Sequence, residues 1–199
     1  MPLKIVKYPD PVLFRKAEAV ADFDDRLHEL VEGMFESMYA AEGVGLAAPQ
    51  VGVSLRVFVV NVHARATRDE GRDAVREFEY VFVNPELFDL EGEQTGSEGC
   101  LSIPGVGGQV KRANRLHVRC VDAHGVPKQI EAEGYFARAI QHEYDHLEGK
   151  LFLDHLSVAE RALAEGPLKR LRIEWELERK QRERKAAKQA PRVRRPLKR

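Results

Sequence analysis

The chain has 199 residues, enough for one domain with a sizeable core. Its two cysteines exclude a disulfide-stapled scaffold and favour a reducing cytosol. No stretch approaches 18 apolar residues and the first residues lack a signal-peptide pattern, so we expect a cytoplasmic protein without a membrane span.

The zero net charge conceals a division between the body of the chain and its end. Residues 160–199 hold 15 Lys and Arg against 6 Asp and Glu, a balance of +9. Of the 32 residues of each sign, 17 basic and 26 acidic ones therefore remain in residues 1–159, a balance of −9. A segregated basic end is typical of an interaction arm.

The first elements predicted along the chain are a turn and an amphipathic helix. The turn is Tyr8-Pro9-Asp10-Pro11, and the helix covers about residues 24–41 with His28 exposed on it. Apolar residues at helical spacing predict its core-facing stripe. They are Leu27, Leu30, Val31, Met34, Phe35 and Met38.

An apolar loop with two glycines follows, from Gly43 to Gly52. Gly43 and Gly45 allow a backbone to approach a ligand closely, although neither phosphate-binding glycine spacing is present. Gln50 is the polar side chain that this loop offers to a substrate.

Between residues 55 and 133 the pattern predicts strands separated by loops. We expect the second strand to end at Pro85, and residues 92–108, which include Cys100, to be rich in turns. Cys120 is predicted to be a buried strand residue, because it alternates with Leu116 and Val118. The predicted strands are residues 55–60, 79–84, 115–122 and 129–133.

The stretch Gln141-His142-Glu143-Tyr144-Asp145-His146-Leu147 carries two histidines four residues apart. Flanking apolar residues recur at helical spacing, so His142 and His146 are predicted to share one helix face, a turn apart. Such a pair can bind one metal ion, while Glu143 can accept a proton from a metal-bound water. Gly149 is the predicted C-terminal cap of this helix.

A catalytic metal site needs a third protein ligand and an open position. Considered alone, the residues leave three candidates: Glu160 or Glu165 on a later helix, and the Cys100 thiolate. Asp145 is predicted to fix a ligand or to pair with a buried arginine such as Arg112. His63 and His155 are predicted to be ordinary histidines without a role in the site.

The last predicted helix begins at Ser157, with Glu160 completing a capping box. Trp175 is expected to pack this helix onto the body. Apolar residues become rare from about Arg179 onward, which predicts disorder there.

Three stretches resemble the signature motifs of peptide deformylases, in that family's order and spacing. The resemblance extends to the opening residues 8–13 and to Arg138-Ala139-Ile140, and it covers roughly residues 1–156. The motifs are Gly43-Val44-Gly45-Leu46-Ala47-Ala48-Pro49-Gln50, Glu98-Gly99-Cys100-Leu101-Ser102 and the two-histidine stretch.

The resemblance implies a hydrolase whose metal is held by Cys100, His142 and His146, with water in the fourth position. It implies one divalent ion, Fe²⁺ in the cell, with Zn²⁺ or Ni²⁺ possible in the isolated protein. Glu143 would act as general base and then as acid toward the leaving amine.

The resemblance also implies how the substrate is held. Gln50 and the backbone N–H of Leu101 would stabilise the developing oxyanion. Gly43, Val44 and Gly45 would bind the peptide backbone in an extended form.

The implied architecture is an α+β fold in which small antiparallel sheets surround the helix with the two histidines, with a C-terminal helix outside. Residues 1–166 are predicted to form a metal-dependent catalytic domain. Residues 167–199 are predicted to form a basic C-terminal helix and a disordered tail.

The implied reaction removes the formyl group from the N-terminal methionine of nascent peptides and releases formate. We expect a monomer without membrane contacts, whose basic end contacts the ribosome. A peptidase using Glu165 as third ligand and an inactive ribosome-associated binding protein are the rival interpretations. The presence of Cys100, Glu143 and Gln50 argues against the second rival.

Overall fold

The computed structural model describes residues 2–64 and 71–189, with side chains up to residue 185. Its three α-helices are α1 (Asp25–Ala40), α2 (Gly134–Leu147) and α3 (Val158–Gln189). The seven strands, all in antiparallel pairs, form a five-stranded sheet of order β1-β2-β3-β6-β7 and a separate hairpin of β4 and β5. The strands are β1 (Gly45–Ala47), β2 (Val57–Val60), β3 (Tyr80–Glu91), β4 (Gln94–Cys100), β5 (Ile103–Arg112), β6 (Arg115–Val121) and β7 (Pro127–Glu133).

The core lies on both faces of the larger sheet. Strand β2 shows this best, because alternate residues point to opposite faces and all four are fully buried. Phe58 packs in the cluster that includes Ile140 of α2, whereas Val59 packs in the cluster that includes Met34 of α1. Helix α2 also contacts the β4–β5 hairpin, because Arg138 donates to the carbonyl oxygens of Gly96 and Val110. The helix thus packs against both sheets, as the predicted α+β architecture requires.

Several predicted elements are confirmed. Helix α1 buries Leu27, Val31, Met34, Phe35 and Met38 of the predicted stripe. Cys120 is buried on β6.

The prediction that the second strand ends at Pro85 is wrong. Strand β3 continues to Glu91, and its register with β6 shifts between Val83 and Glu86. Asn84 there has a positive φ of 49°, so the chain bulges where the proline stands. A bulge accommodates a residue that has no N–H to donate to the ladder.

The prediction of a turn-rich segment at residues 92–108 is also wrong, because most of it forms the β4–β5 hairpin. Its small residues serve close packing. A Cβ placed on Gly96 would lie 2.8 Å from the guanidinium carbon of Arg138. A Cβ on Gly108 would overlap Leu156.

Helix α3 begins with the predicted capping box. Ser157 Oγ accepts from the Glu160 N–H at 3.3 Å, and the Ser157 N–H donates to Glu160 Oε2 at 3.2 Å. Trp175 Nε1 donates to Asp10 Oδ2 at 3.3 Å, which joins the helix to the body as expected. No helix within residues 2–64 and 71–189 combines the length and the apolar character that crossing a bilayer requires.

The expectation of disorder from about Arg179 is corrected as far as Gln189, because α3 remains helical to that residue. Its exposed pairs, such as Arg179 with Glu183 at 3.8 Å, lie four residues apart as helix-supporting pairs do. The rest of the predicted tail, 190–199, lies outside the described residues. The division of the chain at 166 and 167 stays a prediction, and one continuous helix crosses it.

Candidate metal centre and active site

Cys100 at the end of β4 meets two histidines from α2 beside the larger sheet. Ligand atoms of Cys100, His142 and His146 all lie within 4.8 Å of one another. Cys100 Sγ is 3.4 Å from His146 Nε2. The predicted helix places both imidazoles on one face, and the hairpin delivers the thiol to that face.

The donors fit a metal ion. The Nδ1 of His142 lies 2.9 Å from Glu98 Oε2, which leaves its Nε2 available as a ligand. Burial raises the pKa of the Cys100 thiol, but the imidazoles of His146 and His142 outweigh burial and hold that pKa well below its ordinary value. One thiolate and two imidazoles suit zinc or ferrous iron.

The other two candidates for a third ligand are engaged elsewhere. Glu160 accepts from the Gln109 N–H at 2.7 Å, in addition to capping α3. Glu165 pairs with Arg172 at 2.7 Å. Among the candidates that the sequence left open, Cys100 is the one at the histidines.

Glu98 is the site residue that the sequence reasoning missed as a functional side chain. It stands two residues before Cys100 on one strand, so both side chains point to the same face. Burial raises the pKa of Glu98, but hydrogen bonds from His142 and Arg112 outweigh it and lower that pKa to about 2. The spacing to Cys100 was a signal for Glu98, whereas its pairing with Arg112 depends on the hairpin.

Arg112 holds Glu98 with two hydrogen bonds, Nε to Oε1 and Nη2 to Oε2, both 3.0 Å long. Its Nη1 donates to Asp145 Oδ2 at 2.6 Å. This confirms the predicted pairing of Asp145 with a buried arginine. A second buried arginine, Arg138, lies 3.6 Å from Glu98 and donates to the carbonyl oxygens of Gly96 and Val110.

Glu143 lies buried beside the histidines. Burial raises the pKa of its carboxyl group to about 7, although the two imidazoles act in the opposite direction. Its Oε2 accepts no hydrogen bond from any described residue. A Cβ at Gly45 would lie 2.8 Å from the Glu143 carboxyl carbon, so the glycine leaves room for this side chain.

Gln50 approaches the same centre from the glycine loop. Its Oε1 accepts from the Ala47 N–H at 2.7 Å, which fixes the amide. Its Nε2 then lies 3.3 Å from Cys100 Sγ. Leu101 follows Cys100 at the hairpin turn, and its carbonyl oxygen accepts from Lys7 Nζ at 2.6 Å.

These groups face one cleft of about 390 Å³. Gly43, Val44 and Gly45 line one wall, where β1 is the edge strand of the larger sheet. The Val44 carbonyl accepts from Asn61 N–H at 2.8 Å, so the alternation of an antiparallel pair turns the polar groups of Gly45 toward the cleft. The cleft therefore offers a strand edge to an extended peptide beside the three candidate metal ligands.

A family model described as polypeptide deformylase matches residues 2–162. The chain belongs to this family. It is therefore a hydrolase of the peptide deformylase type, and the predicted family and fold are confirmed.

Individual family members match over most of their own length. Peptide deformylase 1 of Clostridium perfringens is 49% identical over 146 residues, which cover 73% of this chain and 92% of that protein. The peptide deformylase of Alkalilimnicola ehrlichii is 46% identical over 176 residues, which cover 88% of this chain and 89% of that protein.

Solved structures of the family share the fold. The Plasmodium falciparum peptide deformylase superposes with a TM-score of 0.81 at 37% identity, covering 87% of this chain and 98% of that one. The Thermus thermophilus peptide deformylase superposes with a TM-score of 0.78 at 42% identity, covering 87% of this chain and 99% of that one.

Proposed function

We propose that the protein hydrolyses the N-formyl group of newly made polypeptides that begin with formylmethionine, releasing formate and a free amino terminus. The arrangement of Cys100, His142 and His146 beside a Glu143 oxygen that accepts no hydrogen bond within residues 2–64 and 71–189 carries this proposal. The substrate class comes from membership of the family. A formyl-Met peptide and the purified protein test it, with formate release as the signal and an acetyl-Met peptide as the control substrate.

The three ligands would hold one divalent ion, Fe²⁺ in the cell, with Zn²⁺ or Ni²⁺ as substitutes. When bound, the ion supplies a water of lowered pKa and polarises the formyl oxygen. Anaerobic purification followed by metal analysis tests the choice of ion. We expect air to inactivate an iron form faster than a zinc form, because both iron and an iron-bound thiolate oxidise readily. Equal aerobic half-lives of the two forms would contradict this oxidation sensitivity of Cys100 and its iron.

Glu143 would take the proton from the attacking water and pass it to the leaving amine nitrogen as the amide C–N bond breaks. Its burial and its pKa of about 7 suit a group that must both accept and return a proton near neutral pH. The Gln50 amide and the Leu101 N–H would donate to the oxygen on which charge develops. Gln50 is fixed for this role because its own oxygen is held by Ala47.

The substrate backbone would add to the free edge of β1. Outward-facing polar groups at Gly45 favour an extended peptide that pairs with the edge in the manner of an additional strand. Gly43 and Val44 continue this wall of the cleft. Such backbone pairing is independent of side chains, as an enzyme that acts on many nascent proteins requires.

We also propose that the protein works as a cytoplasmic monomer whose basic end binds ribosomal RNA. The charge of +9 in residues 160–199 supports this, since phosphates attract such a segment without base recognition. Leu168 is fully buried and Trp175 bonds to the body, so a truncation after Gly166 would damage the fold. Substituting exposed residues that follow Trp175 leaves the packing of Leu168 and the hydrogen bond of Trp175 intact.

A triple variant, Arg182→Gln with Arg184→Gln and Lys185→Gln, should therefore weaken co-sedimentation with ribosomes, most clearly at low salt. Free formyl-Met peptide should be hydrolysed at the wild-type rate. A matched variant neutralises three basic residues elsewhere on the exposed surface. They are Arg119, Lys128 and Lys150, each changed to Gln. Equal sedimentation of both variants would exclude the basic end as the tether.

A further inference from the structure

His155 lies at the outer end of the polar cluster behind the metal centre, although the sequence predicted a histidine without a role. It ends the short 3-10 turn Phe152–His155, which follows α2. Its Nε2 is 2.8 Å from Asp145 Oδ2 and 3.4 Å from Arg112 Nη1. A third of its side chain is exposed, so it closes the cluster on the solvent side.

An unbroken series of hydrogen bonds leads inward from His155. Arg112 donates hydrogen bonds to Asp145 and to both carboxylate oxygens of Glu98. Glu98 in turn accepts a hydrogen bond from His142 Nδ1. The side chains become more buried as far as Glu98, from 33% exposed at His155 and 14% at Asp145 to 4% at Arg112 and Glu98. His142, at the inner end of the path, is 11% exposed and lines the cleft.

The chemistry of the donors fixes the orientation at the outer end. Arginine has no acceptor, so the short contact of Arg112 with Asp145 uses a proton of the guanidinium. His155 Nε2 must then carry a proton itself to contact the same carboxylate oxygen. Asp145 Oδ2 is thus held by two donors, one from the interior and one from the solvent side.

Arg112 is a single positive charge shared between two carboxylates, those of Glu98 and Asp145. A carboxylate that is partly exposed can turn toward water unless a second donor holds it. If Asp145 turned away, Arg112 would lose one of its partners and its fixed position against Glu98. The ring of His142 would then lose the partner that orients it.

We propose that His155 is a positioning residue for the metal centre. It holds Asp145 on Arg112 and, through Glu98, keeps His142 in the orientation that binds the ion. This inference rests on the metal site proposed above, but it makes a separate claim about a residue that does not contact the ion.

The test measures the rate at which the zinc-loaded protein releases zinc to an excess of a chromogenic chelator. His155→Leu removes the donor and should release zinc about tenfold faster, at the low end of the 10–100-fold effects of residues that support ligands. His155→Gln returns an N–H near the position of Nε2 and should restore near-wild-type release. His63→Leu is the matched control, an exposed histidine that stacks on Phe78 away from the site.

A double-variant cycle locates the effect. In an Asp145→Asn background, His155→Leu should add no further acceleration, because the partner through which it acts is already altered. Equal melting temperatures of the metal-free His155→Leu and wild-type proteins would separate positioning from general destabilisation.

Two results would overturn the inference while leaving the proposed function intact. One is wild-type zinc release from His155→Leu, and the other is undiminished acceleration in the Asp145→Asn background. A wild-type protein that binds no metal would instead refute the metal site itself.

Discussion

Helices α2 and α3 are both rich in charged residues, yet they place these residues in opposite environments. Helix α2 buries Arg138, Glu143 and His146, each at most 6% exposed. Helix α3 carries its charges in water, as in the pair Arg172 with Glu165, whose side chains are 40% and 56% exposed. A buried charge must have partners and affects function strongly, whereas an exposed pair contributes little to stability.

The largest effect that this comparison predicts comes from Cys100→Ala. Loss of the thiolate leaves two histidines, so the purified variant should contain almost no metal and show only background formate release. Metal analysis by mass spectrometry is the measurement. Glu165→Ala on α3 is the control and should keep its metal; a metal-free Glu165 variant beside a loaded Cys100 variant would favour the rival peptidase interpretation.

Glu143→Gln should have the next largest effect. Gln keeps the shape of the side chain but cannot accept the proton, so the metal should remain while kcat falls by about 10²–10⁴-fold. Steady-state kinetics on a formyl-Met peptide measure kcat, and metal analysis measures the metal content. A Gln variant as active as the wild type would rule out the proton-transfer role.

The residues that local patterns specify were the ones predicted well. The spacing of His142 and His146, the apolar stripe of α1 and the capping box at Ser157 depend only on neighbours in sequence. The site residues on the hairpin were harder, because glycine and serine between Gly92 and Gly108 resemble a loop by composition. The glycines leave room for Arg138 and Leu156, and these contacts form only when the hairpin packs against the rest of the protein.

The supporting cluster could not be predicted from the sequence as a whole. Asp145 and Arg112 are 33 residues apart, and Glu98 and His142 are 44 apart, so the pairs depend on tertiary packing. The pairing of Asp145 with Arg112 was one of two roles predicted for Asp145, which stands next to His146 in the sequence. The spacing of Glu98 to Cys100 was a local signal for that residue alone, and no local pattern indicated His155.

Arg112→Leu tests the importance of the buried charges around α2, at a residue that is not a proposed metal ligand. The substitution leaves the carboxylates of Glu98 and Asp145 buried without their shared cation. Breaking a buried pair typically costs about 3–5 kcal/mol of unfolding free energy. Urea unfolding of the metal-free protein measures this loss; a change below about 1 kcal/mol, the range typical of an exposed pair, would contradict the role assigned to burial.

The smallest effect should come from Glu183→Gln on α3. Glu183 lies 3.8 Å from Arg179, four residues earlier, and the two side chains are 63% and 49% exposed. Water and salt screen such a pair, so the loss in unfolding free energy should be about 0.5 kcal/mol or less. Arg179 also lies over the Trp175 ring at 5.4 Å, a contact that the substitution leaves intact.

The same urea experiment that measures Arg112→Leu measures Glu183→Gln, which makes the two helices directly comparable. Hydrolysis of a free formyl-Met peptide should be unchanged by Glu183→Gln, because none of the described side chains of α3 lines the cleft. A loss of several kcal/mol would mean that the end of α3 is bound to the body more tightly than its exposure indicates. The basic end would then be part of the folded core and less available to ribosomal RNA.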